Sequence, residues 1–238
     1  MTLPLLLSVP HAGLEVPDYV APLCQLTRDQ LVANGDEGAD QIYDLRDQVE
    51  AFVTTPIARA VLDMNRSSAD RRKDGVVKTH TIWDEPIWSE PLSPDLVERL
   101  LQEHDRYHER LTELANRTVL AVDCHTMVAV GPPVSPDPGK TRPLVCLGDG
   151  DGACPREWVE SLQECFVRYF PGEVTVNEPF AGGYITRTHG TEMPWVQLEL
   201  SRSPKMSNEA KRTAVLAALT DWCAAHSPSH RDAGRQPR

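Results

Sequence analysis

Short apolar runs alternate along this chain with stretches of helical periodicity. The runs predict buried strands at residues 5–9, 61–66, 118–122, 144–147, 174–176 and 196–200. Capping residues followed by helical spacing predict helices that begin after Thr27, Ser93 and Ser207. Helical patterns also cover residues 40–53 and 156–170. Strands that alternate with helices favour an α/β domain with a mostly parallel sheet.

Two segments lack a periodic pattern. Residues 66–94 hold Trp83 and Trp88 and predict a long loop, which is either a lid or a segment packed by its tryptophans. Residues 128–143 are rich in Pro and Gly and predict a surface loop. No repeat or linker interrupts the pattern. We therefore expect one domain over residues 1–226 and a disordered polar tail over 227–238.

Composition narrows the classes of partner. The net charge of -11 opposes binding to nucleic acid or to anionic membranes, so an anionic small substrate needs a local cationic pocket. No apolar run is long enough for a transmembrane helix, and the first residues lack the basic region of a signal peptide. The six cysteines contain no C-x-x-C pair, which favours reduced thiols. We expect a cytoplasmic protein that is a monomer or a small homo-oligomer.

Polar side chains at predicted strand ends carry the candidate chemistry. His11 and His125 follow two strands, and Glu199 interrupts the apolar run of a third. Two histidines and a carboxylate, with Asp36 as a candidate third ligand, would form a catalytic zinc site. Two alternatives to a zinc site remain open. Each histidine taken alone is more often a structural residue, and two histidines with one carboxylate also bind iron in non-haem iron oxygenases. A binding protein without activity and a Cys124–His125 nucleophile are weaker alternatives.

A second cluster lies at residues 59–66. Strand alternation puts Asp63 and Asn65 on one face. Asn65 and Arg66 offer an amide and a planar guanidinium, which are suited to holding a substrate carboxylate. The alternative for Asp63 is a structural ion pair with an arginine.

The blocks 8–13, Asp36, 59–66, 123–126, 179–187 and 197–200 occur in one order along the chain. Together they resemble the N-formylglutamate amidohydrolase family. The resemblance implies an α/β/α sandwich of three layers around a mixed, mostly parallel sheet. This fold is similar to that of the zinc carboxypeptidases, of the phosphorylase/hydrolase-like kind. It also implies zinc-dependent hydrolysis of N-formyl-L-glutamate to formate and glutamate, as in histidine degradation.

The resemblance also implies roles for individual residues. One Zn²⁺ would be held by His11, His125 and Asp36, with Glu37 as the alternative to Asp36. Glu199 would be the general base, and Arg59 would face the carbonyl oxygen. The expected carboxylate-binding residues are Asn65, Arg66 and Arg187, and the carboxylates that support the ligand histidines are Asp123 and Asp63.

One position departs from the family pattern. His189 stands where an aromatic residue is expected, close to where the substrate side chain would bind. A deacylase for another N-acyl acidic amino acid, or a small peptidase-like metallohydrolase, is therefore an open alternative.

Overall fold

The computed structural model describes residues 2–135 and 137–226, which form an α/β fold around one six-stranded sheet. The strands are β1 (Leu3–Val9), β2 (Val49–Thr54), β3 (Leu120–Met127), β4 (Val145–Gly148), β5 (Val174–Val176) and β6 (Trp195–Ser201). Their order in the sheet is β2-β1-β3-β6-β4-β5. Neighbouring strands are parallel except β4 and β6, which are antiparallel. The sheet is therefore mixed and mostly parallel, as the sequence predicts.

Helices cover both faces of the sheet. The described helices are α1 (Arg28–Asn34), α2 (Ala39–Ile42), α3 (Pro94–Ala115), α4 (Arg156–Tyr169), α5 (Tyr184–His189) and α6 (Asn208–His226), with a 3₁₀ turn at Ala21–Leu23. One core packs α2, α4 and α6 against the sheet, with Trp222 and Phe166 among its largest side chains. The second core packs α3 and residues 57–64 against the other face. The two cores explain why the central strands are apolar on both sides.

Most predicted elements are confirmed, but two are wrong. The predicted helix over 40–53 contains only the short helix α2, and its second half is the strand β2, with alternating burial. The predicted strand over 61–66 is a series of turns with one bridge between Leu62 and Val77. The backbone N–H of Asn65 bonds the Asp63 side chain at 3.0 Å, and such a local bond competes with strand pairing. Helix α5 was not predicted.

The long loop over 66–94 packs closely in its second half. Trp88 is buried, and its indole N–H donates to the backbone oxygen of Lys78 at 2.8 Å. Trp83 is 53% exposed. The tail predicted over 227–238 lies outside the described residues. Among the helices of the described part of the chain, none has both the length and the apolar character needed to cross a membrane.

Candidate active site

The parallel order of three central strands brings the candidate residues together. β1, β3 and β6 are neighbours, so the residues at their carboxyl ends lie along one edge. Alternation in β3 directs Asp123 and His125 toward the α3 side, whereas Cys124 packs into the opposite core. The register of β3 and β6 pairs His125 with Glu199. His11 follows the end of β1, two residues after Val9.

His11, Asp36 and His125 converge at this edge, and all three are buried. The two Nδ1 atoms lie 3.2 Å apart. Oδ2 of Asp36 lies 3.0 Å from Nδ1 of His125 and 3.5 Å from Nδ1 of His11. Ligands of a tetrahedral zinc ion with bonds of about 2.0–2.1 Å lie about 3.3 Å apart. The three atoms are therefore spaced like ligands of one ion, and the exposed side chain of Glu37 is outside this set.

Two carboxylates fix the orientation of both imidazole rings. Nε2 of His11 lies 2.8 Å from Asp63, and Nε2 of His125 lies 3.0 Å from Asp123. Because an ionised carboxylate only accepts, each Nε2 carries a proton, and a neutral ring then turns the lone pair of its Nδ1 into the cluster. Two lone pairs and the carboxylate of Asp36 repel at these distances unless positive charge lies among them. The donor set therefore fits a divalent cation.

The pKa shifts describe the same balance of charge. Burial would raise the pKa of Asp36, but His11 and His125 hold it well below its ordinary value. Burial would lower the pKa of His125, but Asp123, Asp36 and Glu199 raise it well above its ordinary value. Without a metal, the cluster thus retains a proton on His125 opposite the Asp36 carboxylate. Because a cation would replace that proton, metal binding is expected to weaken as the pH falls.

Glu199 is a buried carboxyl beside the cluster. Gln197, two residues earlier on the same face of β6, donates its side-chain N–H to Glu199 at 3.1 Å. Burial raises the pKa of Glu199 to about 7; His125 and Arg59 oppose the shift, and Asp36 adds to it. A carboxyl group with a pKa near neutrality can both accept and return a proton at physiological pH.

Asp63 connects the cluster to two cations. Its fully buried carboxylate lies 3.2 Å from Nε of Arg59 and 3.0 Å from Nζ of Lys78, in addition to its bond with His11. Burial would raise the pKa of Asp63, but Lys78, His11 and Arg59 hold it well below its ordinary value. Arg59 also reaches Asp36 at 3.4 Å, and 30% of its side chain remains exposed. The Arg59 guanidinium therefore contacts two buried carboxylates while part of its side chain is exposed to solvent.

The three predicted carboxylate-binding residues have different environments. Asn65 is buried; its Oδ1 accepts the backbone N–H of Ile185 at 2.8 Å, and its Nδ2 lies 3.5 Å from Asp123. Arg66 makes two long hydrogen bonds of 3.5 Å with backbone oxygens, those of Asp74 and Asn65. Arg187 pairs with Asp151 at 2.9 Å, and 46% of its side chain is exposed.

Several residues of the site escaped the sequence analysis. Ser8 bonds both Tyr107 at 2.9 Å and Asp123 at 3.1 Å, so it ties α3 to the carboxylate behind His125. Arg202, just after β6, donates to the backbone oxygen of Gly35 at 2.6 Å and lies 3.8 Å from Asp36. Lys78 lies in a loop without periodicity, and Ser8 looks like an ordinary strand residue. Their roles depend on contacts between residues far apart in sequence.

Comparisons with known proteins show the family and the fold of this chain. The family model of N-formylglutamate amidohydrolase matches residues 3–206. A curated relative, the N-formylglutamate deformylase of Pseudomonas putida, is 32% identical over 229 residues, which covers 86% of this chain and 82% of the relative. Fold and site together describe a hydrolase-like α/β domain with a candidate metal centre. The chain belongs to the N-formylglutamate amidohydrolase family.

Solved structures share the same fold. The crystal structure of N-formylglutamate amidohydrolase from Ralstonia eutropha JMP134 superposes with a TM-score of 0.73 and 19% identity, covering 98% of this chain and 95% of that one. A gene product of Agrobacterium tumefaciens superposes with a TM-score of 0.72 and 19% identity, covering 96% and 92%. At this identity the likeness shows the fold, and the function of this chain is argued from its own site.

Proposed function

We propose that this protein is a zinc-dependent amidohydrolase that cleaves the formyl amide of N-formyl-L-glutamate to formate and glutamate. The observation that carries the proposal is the convergence of Nδ1 of His11, Nδ1 of His125 and Oδ2 of Asp36, with Glu199 on the neighbouring strand. Family membership and the name of the Pseudomonas putida relative support the choice of substrate.

His11, Asp36 and His125 would hold the zinc ion. A bound zinc ion in such a site lowers the pKa of water toward neutrality and polarises a carbonyl oxygen. Asp63 and Asp123 keep both imidazoles in the tautomer that offers Nδ1 to the ion. Two imidazoles and one carboxylate would give the ion three protein ligands, the number typical of catalytic zinc sites.

Glu199 is the proton carrier of the proposed reaction. Its carboxylate removes a proton from the attacking water and then delivers it to the leaving nitrogen of glutamate. In the metal-free protein, burial raises the pKa of Glu199 to about 7, and a bound dication would favour the carboxylate that accepts the first proton. Gln197 holds one oxygen of Glu199, and so restricts the direction from which the proton is taken.

The cationic side chains deal with the charge of the substrate. Arg59 stabilises the negative charge that develops on the formyl oxygen. Its partly exposed guanidinium lies 3.4 Å from Asp36, one of the residues that would hold the zinc ion, and so stands close to the reacting group. Asn65 and Arg66 bind the α-carboxylate, with Arg66 as the charged donor. Arg187 binds the second carboxylate after it releases Asp151. The Arg187–Asp151 ion pair is exposed and therefore weak. These arginines would supply the local cationic pocket that an anionic substrate needs in a protein with a net charge of -11.

The proposal is tested by measuring formate released from N-formyl-L-glutamate before chelation, after chelation and after zinc is restored. We expect release that chelation abolishes and zinc restores. The Glu199→Gln variant serves as the matched control, since it should retain zinc while its kcat falls about 10²- to 10⁴-fold. Zinc binding without formate release would overturn the substrate and direct the search to other N-acyl acidic amino acids. The absence of both would overturn the hydrolase proposal.

A further inference from the structure

A second group of histidines lies beside the candidate active site but outside the metal cluster. His104 and His108 are one turn apart on α3, and His189 ends α5. The rings of His108 and His189 are nearly parallel with centroids 5.1 Å apart, and the centroids of His104 and His108 lie 4.3 Å apart. His104 and His189 are buried, and His108 is partly buried. None of the proposed catalytic steps uses these rings.

The partners of these rings determine which nitrogen donates. Nε2 of His108 lies 3.0 Å from the backbone oxygen of Met64, and Nε2 of His104 lies 2.9 Å from that of Arg66. Carbonyl oxygens only accept, so both Nε2 atoms carry protons. Burial, together with His104 and His189, lowers the pKa of His108 to about 3, so this ring is neutral and its Nδ1 is an acceptor.

The hydrogen-bond chain continues through His189. Nδ1 of His108 lies 2.8 Å from Nε2 of His189, which must therefore donate. Nδ1 of His189 lies 3.0 Å from Glu192, whose other oxygen accepts from Thr112 at 2.8 Å. Hydrogen bonds therefore run without a break from the backbone oxygen of Met64 through both rings to Glu192.

The two carbonyl groups that accept these bonds flank Asn65. The peptide between Met64 and Asn65 is held at both ends, because its oxygen accepts from His108 and its N–H donates to Asp63 at 3.0 Å. His104 holds the oxygen of Arg66. The backbone on both sides of the proposed carboxylate-binding pair is thus bonded to α3.

We infer that His108, supported by His189, and His104 are positioning residues that hold the Asn65–Arg66 turn for the substrate α-carboxylate. This inference rests on the proposed function. It also gives His189, the residue that departs from the family pattern, a definite role as the donor that keeps His108 in the required tautomer.

The test compares two substitutions of one residue. His108→Leu removes the donor to Met64, whereas His108→Gln retains a side-chain N–H. For N-formyl-L-glutamate we expect KM to rise about tenfold in the Leu variant, as for one lost hydrogen bond, and to stay within about threefold in the Gln variant. His189→Phe keeps a ring but loses the donor, and its KM should lie between these. The zinc content and kcat should change little, since no ligand is touched.

A substrate without the α-carboxylate separates positioning from general damage. N-formyl-4-aminobutanoate lacks that group, so the KM difference between wild type and His108→Leu should disappear with it. Equal KM changes for both substrates, or a fall in kcat alone, would overturn the inference while the proposed function stands. Wild-type protein that releases no formate would overturn both. Thermal melts of each variant confirm that the compared proteins are folded.

Discussion

Replacing Asp63 with Asn probes the carboxylate on which the site depends. Asp63 is fully buried and accepts from His11, Arg59, Lys78 and the backbone of Asn65. Only 7% of the Lys78 side chain is exposed, and burial already lowers the pKa of Lys78 against the opposing effect of Asp63. The substitution keeps the volume and one acceptor oxygen but removes the charge that faces two cations.

The expected loss follows from this burial. Removing one partner of a buried ion pair costs about 3–5 kcal/mol of folding stability. Because Asn retains one acceptor oxygen, we expect Asp63→Asn to lower the free energy of unfolding by about 3 kcal/mol. For a chain of this size, that corresponds to a fall in Tm of about 6–12 °C. His11 also loses the carboxylate that fixes its tautomer, so zinc affinity should fall about 10- to 100-fold.

The sign of the pH dependence is also fixed. The pKa of folded Asp63 lies well below its ordinary value of 3.8, so its stabilisation is complete above the unfolded pKa and is lost as the pH falls through the folded value. The Tm difference between wild type and Asp63→Asn should therefore be constant from about pH 5 to 7 and shrink below about pH 4.

Asp84→Asn is the matched control for this prediction. Asp84 also pairs with a lysine of the same loop, Lys73 at 2.7 Å, but both side chains are largely exposed. The control should show no measurable change in Tm or zinc affinity. Thermal melts and zinc titrations of wild type and both variants provide the comparison. Equal Tm values for Asp63→Asn and Asp84→Asn would refute the reasoning.

Three further predictions test separate parts of the account. Glu199→Gln should lower kcat about 10²- to 10⁴-fold with one zinc retained, because only the proton carrier is lost; normal formate release would remove Glu199 from the reaction. The acid limb of the kcat/KM profile, which follows the ionisation of Glu199, should lie below pH 7. The Glu199 pKa of about 7 belongs to the metal-free protein, and a bound dication favours the carboxylate form. A kcat/KM that keeps rising well above pH 7 would contradict this prediction. Cys124→Ala should leave turnover intact, because Cys124 packs into the core opposite the site, and a large loss would revive the cysteine nucleophile.

Side chains on strands were the easiest part of the site to predict. His125 closely follows one apolar run and Glu199 lies within another, so strand alternation indicates the face of each, and the order of the strands brings them together. Asp36 lies in the loop between α1 and α2, and its place depends on backbone contacts with His11 and Thr126. The sequence alone offers Asp36 only as a candidate third ligand, and the family resemblance supports that choice, because contacts between distant residues cannot be read from the local sequence.

The wrong elements have a physical explanation. Ile42, Leu45 and Val49 have helical spacing, yet Val49, Ala51 and Val53 also alternate with more exposed residues. Over so short a stretch the apolar residues fit both the helical and the strand period. Pairing with the free edge of β1 stabilises the strand. The turn at Asp63 looked like a strand because its apolar residues alternate, although they pack between the sheet and the loop over 66–94.

The most direct test of the central claim is a zinc titration of metal-stripped protein, with bound zinc and formate release followed in the same samples. The account predicts that both rise together and level off at one zinc per chain. It also predicts that His125→Ala abolishes both, because this change removes one of the three ligands. Formate release by the metal-free protein, or zinc binding that survives in His125→Ala with activity unchanged, would contradict the account.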